Sequence, residues 1–230
     1  MTVGEETLES MSLASGYNDW ILKRFKRYLH GDILEVGCGI GNFTQNLSEY
    51  GKVTAIDINK EYIEGLRLTN VRSIYYGLGD IEKGRYFFGN NRYFDTIICL
   101  NVLEHIKNDV EALKNLYRLL KPNGTLVLLV PGHEFIYGEI DKNIEHFRRY
   151  DKNSLVGNLR ALGFSITNAR RLNLLGAVGW FISGKILKNK EVGKVKVGVF
   201  NLLSPIFLFI EQFIETPFGT SVLIIARKTQ

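Results

Sequence analysis

The chain has 230 residues, of which 45% are hydrophobic and 23% charged, a balance typical of folded globular proteins and unlike that of disordered chains. The formal net charge of +5 comes from scattered Lys and Arg residues, which is weak support for nucleic-acid binding. Only Cys38 and Cys99 are present, so a disulfide framework is excluded and a reducing compartment is favoured.

From residue 32 onward, short apolar segments alternate with longer amphipathic ones, which is typical of a parallel sheet with crossover helices and hence of an α/β fold. The predicted strands are 33–36, 53–58, 73–77, 95–100, 125–130, 164–171 and 221–228. Four helices are predicted. The first covers 42–50, the second runs to 69 after a cap at Asn59, the third runs to 120 after a cap at Asn108 or Asp109, and the fourth covers about 151–163. KPNG at 121–124 is predicted to form a turn.

A long segment, 172–218, separates the last two strands, and we predict that it is a structured helical insertion. It should cover the acceptor side, because the sixth strand is expected to end at the same sheet edge as the first five. Its apolar faces and Lys residues fit either packing on the protein or peripheral contact with a membrane. We predict no transmembrane helix and no signal peptide, so the expected location is the cytoplasm, with contact at the inner face of the membrane as an alternative.

Three glycines at alternate positions, Gly37, Gly39 and Gly41, directly follow the first predicted strand. Glycine allows the backbone to turn sharply and to approach a ligand closely. A dinucleotide fingerprint needs another Gly or Ala where this chain has Asn42, so a pyrophosphate ligand is disfavoured. Together with Glu35, the glycines suit a ligand that carries a charged amino-acid group; a turn without a ligand is the alternative.

Acidic residues follow the next two predicted strands. Asp57 ends the second strand, where its carboxylate can accept hydrogen bonds from both hydroxyls of a ribose, although it could also be a simple helix cap. Gly79, Asp80 and Ile81 follow the third strand. There, Asp80 could accept a bond from the exocyclic amine of an adenine and Ile81 could pack on the ring, the alternative being a turn.

The segments EVGCGIGNFT, AIDIN, LGDIE, FDTIICLNVLEHI and LLKPNGTLVLLVP, in this order, resemble the motifs of class I S-adenosylmethionine-dependent methyltransferases. The resemblance covers roughly residues 17–170. It implies a Rossmann-like sheet of seven strands, the last antiparallel, with helices on both faces. It also implies S-adenosylmethionine as the cofactor and S-adenosylhomocysteine as the product. The cofactor-binding residues that it implies are Glu35, Gly37, Cys38, Gly39, Gly41, Asp57, Ile58, Asp80, Ile81, Asn101 and His105.

The segments YNDWILKRFKRYL, PGHEFIYGEIDKNIEHFRRY and LNLLGAVGWFISGKIL resemble a subgroup of these enzymes that is often fused to, or found beside, glycosyltransferases. That subgroup often has Gly where this chain has Glu145, so the path of this loop is open. We expect a single domain over 1–230, with 1–30 as an N-terminal helical lid. Tyr17 and Trp20 in the lid would cover the site, although their helical spacing also fits core packing.

Methyl transfer from a sulfonium depends mainly on alignment, and it requires a base only when the acceptor is a weak acid such as a hydroxyl. His133 and His146, on the loop after the fifth strand, are the candidate bases; a structural role is the alternative. Arginine could clamp an anionic or sugar-bearing acceptor, or simply form salt bridges. The candidate acceptor-binding residues are Tyr17, Trp20, Tyr137, Arg148, Arg149 and Tyr150, and no metal site is expected.

Three functions compete. We favour methylation, at an oxygen, of a small-molecule, glycan or lipid-linked acceptor by a monomer or homodimer. An RNA or protein methyltransferase is second, because no appended binding domain or dense basic stripe is visible, and DNA is not an expected partner. The third is a cofactor-binding module without catalysis, or an aminopropyl transferase, which would need more acidic residues near the ends of the fourth and fifth strands.

Overall fold

The computed structural model describes residues 15–69, 71, 73–189, 209, 211 and 216–229. Its helices are α1 (Ser15–Phe25), α2 (Thr44–Leu47), α3 (Lys60–Arg67), α4 (Asp109–Leu119), α5 (Glu139–Asn143), α6 (Lys152–Ala161) and α7 (Leu174–Trp180). Its strands are β1 (Gly31–Val36), β2 (Gly51–Asp57), β3 (Ile74–Asp80), β4 (Arg85–Tyr86), β5 (Phe94–Leu100), β6 (Leu120–Pro131), β7 (Phe164–Leu172) and β8 (Ser221–Lys228). Short 3-10 turns cover Lys26–Tyr28, Leu103–His105 and Glu134–Ile136, and a π-helix, Phe181–Ile186, continues α7.

The strands form one sheet in the order β4-β3-β2-β1-β5-β6-β8-β7. The pairs among β3, β2, β1, β5 and β6 are parallel, whereas β8 is antiparallel to both β6 and β7. The predicted Rossmann-like α/β class, with an antiparallel last strand, is confirmed. The strand that the sequence did not predict is β4, which pairs with the end of β3.

The sheet is covered on both faces, as buried parallel strands require. Successive strand residues point to opposite faces, and the neighbours Ile33 and Leu34 accordingly belong to different buried clusters. Helix α1 packs on the Ile33 face through Phe25, which is fully buried, and α4 packs on the Leu34 face through Leu116. The carboxyl ends of the central parallel strands therefore meet at one edge of the sheet, and the loops that follow these strands lie there.

Local capping confirms three of the predicted helix starts. The side chain of Asn59 accepts hydrogen bonds from the first amides of α3, that of Asn108 accepts one from α4, and that of Asp151 accepts two from α6. Each cap satisfies amides that the helix itself leaves unpaired.

Two local expectations are wrong in extent. The helix predicted from 42 to 50 covers only Thr44–Leu47. Beyond it, the amide of Ser48 bonds the carbonyl of Gln45, three residues back, and the Ser48 hydroxyl bonds the same carbonyl at 2.7 Å, so tight turns replace the helix. KPNG at 121–124 lies within β6 as a bulge. Between two successive paired positions, β6 advances from Leu120 to Thr125, whereas its partner β5 advances only from Phe94 to Thr96.

Parts of two predicted segments lie outside the described residues. They are 1–14 of the N-terminal lid and, in the insertion, 190–208, 210 and 212–215, which include Phe200, Leu203, Phe207 and Phe213. Of the part that is described, the insertion begins with α7 and the π-helix. Within the described residues, none of the helices has the length and hydropathy needed to cross a bilayer.

Glu145, which follows α5, has a φ of 62°, in the left-handed region that glycine tolerates and other residues resist. Replacing it by Gly should therefore remove backbone strain. We expect Glu145→Gly to raise the free energy of unfolding by about 1 kcal/mol, measured by urea denaturation.

The matched control is Glu145→Ala, which removes the same carboxylate but keeps a Cβ at this φ. It should be no more stable than the parent chain. Equal stability of the Gly and Ala variants would show that the backbone here is not strained.

Candidate functional site

The glycine loop follows β1, and its conformation requires glycine at two points. Gly37 has a φ of 73° and Gly41 a φ of 90°. A Cβ on Gly37 would collide with the side chain of Val102, and a Cβ on Gly41 would lie 2.6 Å from Leu66. The loop is thus packed tightly against the core on its inner side, so the backbone itself forms the outer surface available to a ligand.

Asp57 ends β2 directly beside this loop. Its Oδ2 accepts a hydrogen bond from the amide of Gly39 at 2.8 Å, and its Oδ1 accepts one from the amide of Asn59 at 2.8 Å. Burial raises the pKa of Asp57, while these amide bonds act in the opposite direction. Each carboxylate oxygen has a further lone pair, so the group can still accept two ligand hydroxyls.

Glu35, in β1, is a buried carboxyl that lacks a full set of partners. Its Oε2 has no hydrogen-bond partner. Burial, reinforced by the charge of Asp57, raises the pKa of Glu35 to about 8. A buried carboxyl oxygen of this kind is satisfied by a ligand that brings a positive donor such as an ammonium group. Together with the glycine loop and Asp57, it fits a ligand with an amino-acid group and a ribose.

Cys38 lies between these groups, and burial raises the pKa of its thiol, so it is an uncharged part of the wall. Both cysteines of the chain are free and buried.

The predicted cofactor-binding residues after β2 and β3 differ in their surroundings. Ile58, directly after Asp57, is 76% exposed, an unusual position for a large apolar side chain and one suited to covering a flat ring. Asp80 bonds the amide of Lys83 at 3.0 Å and pairs with its ammonium at 3.1 Å. Burial alone would raise the pKa of Asp80, but these contacts lower it overall. Ile81 packs in the core. The adenine contacts of Asp80 and Ile81, and the cofactor contact of Ile58, stay predictions.

Asn101 and His105 follow β5, at the same sheet edge. Asn101 has a φ of 54°, and its amide bonds the carbonyl of Leu129 at 2.8 Å. His105 is exposed, and its ring lies edge-on to that of His146, with centroids 4.7 Å apart. The sequence predicts that these residues border a bound methionine group. Their position between the glycine loop and the loop after β6 is compatible with that role.

Glu104 is a site residue that the sequence analysis gave no role in the favoured function. It is 0% exposed, and neither carboxyl oxygen has a hydrogen-bond partner. Burial raises its pKa to about 8, against the opposing charge of Arg149. Its Oε1 lies 3.8 Å from Nε2 of His146. Because the residue is surrounded by core contacts, Glu104 is mainly protonated at neutral pH.

His146 is buried between two acidic side chains. Its Nδ1 lies 3.0 Å from Oδ1 of Asp141, and Glu104 faces its other nitrogen. Donor atoms of Glu104, His105 and His146 lie within 4.8 Å of one another, a spacing that a divalent cation could use. The sequence predicts no metal here, and that expectation stays a prediction.

His133, the second candidate base, follows β6 with a φ of 61°. Its ring lies 5.4 Å from that of Phe135 and 5.5 Å from that of Phe218, and its buried Nε2 has no hydrogen-bond partner. Burial lowers the pKa of His133, and the charge of Arg171 lowers it further. The imidazole is therefore neutral at physiological pH, which a general base must be.

The predicted acceptor-binding residues of the H-x-R-R-Y stretch are held by protein contacts. Arg149 is buried and bonds Oδ1 of Asp141 at 2.8 Å, and Arg148 pairs with Asp109 at 2.9 Å. The hydroxyl of buried Tyr150 also reaches Asp109, at 3.0 Å. These contacts favour the salt-bridge alternative for Arg149 and a structural role for Tyr150. Their binding to an acceptor stays a prediction.

Three aromatic residues were predicted to contact the acceptor from other segments. The Tyr137 hydroxyl donates to the carbonyl of His146 at 2.7 Å. Tyr17 and Trp20 stack with centroids 5.8 Å apart, and Trp20 is buried in the core cluster on the α1 face. Core packing thus accounts for Trp20, whereas half-buried Tyr17 lies near polar residues of β8 and the insertion, Ser221 and Asn173.

A cavity of about 230 Å³ lies beside β3, and none of its lining residues belongs to the sites above. They are Arg67, Val71, Ile74, Tyr75, Tyr76 and Phe87.

Ionisation of Glu104 should make the stability of the chain depend on pH. Because its pKa is raised from 4.5 to about 8 on folding, the folded chain holds this proton more tightly, and stability is lost as pH rises through that interval. Glu104→Gln imitates the protonated form. We expect the variant to gain stability relative to the parent chain between pH 5 and 8.5, measured by urea unfolding at each pH.

An exposed control, Glu64→Gln, should follow the parent chain across the range. If the stability of the parent chain and that of Glu104→Gln changed in parallel with pH, the raised pKa of Glu104 would be refuted.

Comparisons with known proteins match part of this chain. Residues 34–128 match the family model described as a methyltransferase domain. A ubiquinone biosynthesis O-methyltransferase of Rickettsia bellii is 28% identical over 156 residues, which cover 59% of this chain and 63% of that protein. The chain therefore spans less than two thirds of the length of this relative.

Solved structures share the fold. Phosphoethanolamine N-methyltransferase 2 of Haemonchus contortus, in complex with S-adenosyl-L-methionine, aligns with a TM-score of 0.62 at 20% identity, covering 94% of this chain and 53% of that one. The 4+2 cyclase SpnF aligns with a TM-score of 0.61 at 16% identity, covering 94% and 80%. At these identities the likeness concerns the fold alone.

Proposed function

We propose that this chain, which belongs to the class I S-adenosylmethionine-dependent methyltransferases by its fold and its methyltransferase domain, transfers the methyl group of S-adenosylmethionine to an oxygen of a small acceptor. S-adenosylhomocysteine is then the product. Relatives that include the O-methyltransferase of Rickettsia bellii support this assignment.

One observation carries the proposal: Glu35, the glycine loop and Asp57 converge where β1 and β2 end. Glu35 would accept hydrogen bonds from the ammonium group of the cofactor, and Asp57 would accept those of the ribose hydroxyls. The backbone of Gly37 and Gly41 allows close approach between them. Bound there, S-adenosylmethionine would supply a methyl group on a positively charged sulfur, which needs no further activation.

On the acceptor side, the protein must align a hydroxyl and receive its proton. His133 is the more accessible of the two candidate bases, because buried His146 lies behind His105. The rings of Phe135 and Phe218 flank His133 and would exclude water from the proton transfer. This apolar setting supports a small apolar or lipid-linked acceptor over RNA or a protein. A glycan acceptor would depend instead on half-buried Arg148.

Other assignments in this proposal concern the whole chain. The insertion 172–218 is proposed to cover the acceptor side, because β7 leads into it at the edge where β6 also ends. The working unit would be a monomer or homodimer.

A binding module without methyl transfer is the main alternative function, since SpnF is a cyclase on the same fold.

Calorimetric titration of the full chain with S-adenosylmethionine and S-adenosylhomocysteine tests the cofactor assignment. We expect both to bind, and Asp57→Asn to weaken binding by roughly tenfold or more, because a hydrogen bond to a charged group contributes about 1.5–3 kcal/mol. Asp32→Asn, a matched change of an acid at the other end of β1, should bind as the parent chain does.

Absence of binding, or equal affinity of the two variants, would contradict the assignment. Methyl transfer is then followed as release of S-adenosylhomocysteine with a lipid-linked hydroxyl compound as acceptor. Tight binding of S-adenosylmethionine without release of S-adenosylhomocysteine would favour the non-catalytic module or a different acceptor class.

A second candidate role, peripheral membrane contact, has its own observation. Four apolar side chains spaced four residues apart along α7 and the π-helix are exposed: Leu174, Val178, Ile182 and Ile186. The exposed cations Lys185 and Lys188 lie at the end of this stripe. An apolar stripe with neighbouring Lys residues can rest on an anionic bilayer surface.

Co-sedimentation with phosphatidylglycerol vesicles tests this role. We expect Ile182→Glu to reduce the bound fraction several-fold, since it places an acid in the stripe. Leu68→Glu, which makes the same kind of change at an exposed position after α3, should bind like the parent chain. Equal sedimentation of both variants would exclude membrane contact through this stripe.

A further inference from the structure

Asp141, in α5, is a fully buried carboxylate on which four hydrogen-bond donors converge. Its Oδ1 is 3.0 Å from Nδ1 of His146 and 2.8 Å from Nε of Arg149. Its Oδ2 accepts bonds from the amide of Gly138 and from Nε1 of Trp180, each at 3.0 Å. The sequence analysis assigned Asp141 no role in the favoured function.

The charge state of Asp141 determines the tautomer of His146. Burial alone would raise the pKa of Asp141, but the bond from His146 and the charge of Arg149 lower it overall, so the carboxylate is ionised. An ionised carboxylate only accepts hydrogen bonds; hence Nδ1 of His146 must carry the proton. The other ring nitrogen, Nε2, faces Glu104 at 3.8 Å.

The same carboxylate joins the loop to the insertion. Trp180 ends α7, and the guanidinium of Arg149 lies 5.0 Å from its ring centre. A second close approach is independent of Asp141: a Cβ on Gly138 would lie 2.7 Å from the backbone of Gly184 in the π-helix. Loop and insertion therefore pack backbone to backbone, with Asp141 as a buried polar contact between them.

We propose that Asp141 is a positioning residue of the acceptor side, which holds His146 in the Nδ1-protonated tautomer and anchors the start of the insertion through Trp180. The catalytic consequence rests on the proposed function. The tautomer of His146 and the anchoring of the insertion do not rest on it, because both exist in the chain without a cofactor or an acceptor.

An isosteric variant separates these contacts. All four partners of Asp141 donate, whereas an amide has one acceptor oxygen and one donor nitrogen. In Asp141→Asn, the oxygen should face the Arg149 cation, so that the amide nitrogen meets the two donors Trp180 and Gly138 and no longer anchors the insertion. The neutral oxygen also holds the His146 proton less firmly than a carboxylate does.

Two measurements test the proposal. ¹⁵N NMR of the histidine rings, assigned with His146→Gln, should show His146 with its proton on Nδ1 in the parent chain and a smaller share of that tautomer in Asp141→Asn. A role limited to packing would not change this signal. Amide exchange of 174–186 should be roughly tenfold faster in Asp141→Asn and in Trp180→Phe, as expected for one lost hydrogen bond.

The double variant Asp141→Asn/Trp180→Phe should exchange no faster than either single variant, because both remove the same bond. Glu139→Gln, a matched change at a half-buried acid of α5 that pairs with Lys142 instead of His146 or Trp180, should leave both signals unchanged. An Nε2-protonated His146 in the parent chain, parent-like exchange in Trp180→Phe, or additive effects in the double variant would each overturn the proposal. If Asp141→Asn does not fold, the tautomer of the parent chain and the Trp180→Phe exchange still decide it.

Discussion

The hydrogen bond from the amide of Gly39 to the carboxylate of Asp57 connects the ends of two neighbouring strands, and the cofactor side of the molecule depends on it. It exists because β1 and β2 are parallel and in register, with Val36 opposite Ile56, so that their following residues meet at one edge. The short turn after β1 must then fold back tightly, which only glycine allows. Glu35 is buried beside this loop, and its Oε2 is left without a hydrogen-bond partner, which a cationic donor group would satisfy.

The acceptor side follows a different physical principle. There, the ordered contacts centre on one buried ion pair, Asp141 with Arg149. His146 is hydrogen-bonded to the same carboxylate, and the carboxyl group of Glu104 is buried beside them. Buried ion pairs add little net stability but are costly to break, so they specify one arrangement of loops that have few regular backbone bonds. This network joins the turn after β5, the loop after β6 and the insertion, which are the three segments proposed to lie closest to the acceptor.

The fold alone leaves the chemistry open, since the same sheet is found in an N-methyltransferase and in a cyclase. The proposal relies instead on the candidate amino-acid and ribose site at β1 and β2 together with the neutral, aromatic-lined His133 after β6. Such a pair of neighbouring sites suits the alignment of an electrophile with a weakly acidic hydroxyl. The proposed function therefore rests on the sites, with the fold as their scaffold.

The sequence by itself predicted seven of the eight strands described, the caps at Asn59 and Asp151, and the tight glycine loop after β1, because these signals are local: apolar alternation, capping side chains and glycines a few positions apart. It missed Asp141 and Glu104 as organising residues, and it read Trp180 only as part of an apolar face. Asp141 and Trp180 are 39 positions apart and Glu104 and His146 are 42 apart, so no local spacing indicates their contact. Tertiary packing alone decided which acids are buried, because burial depends on the segments that fold over a residue from elsewhere in the chain.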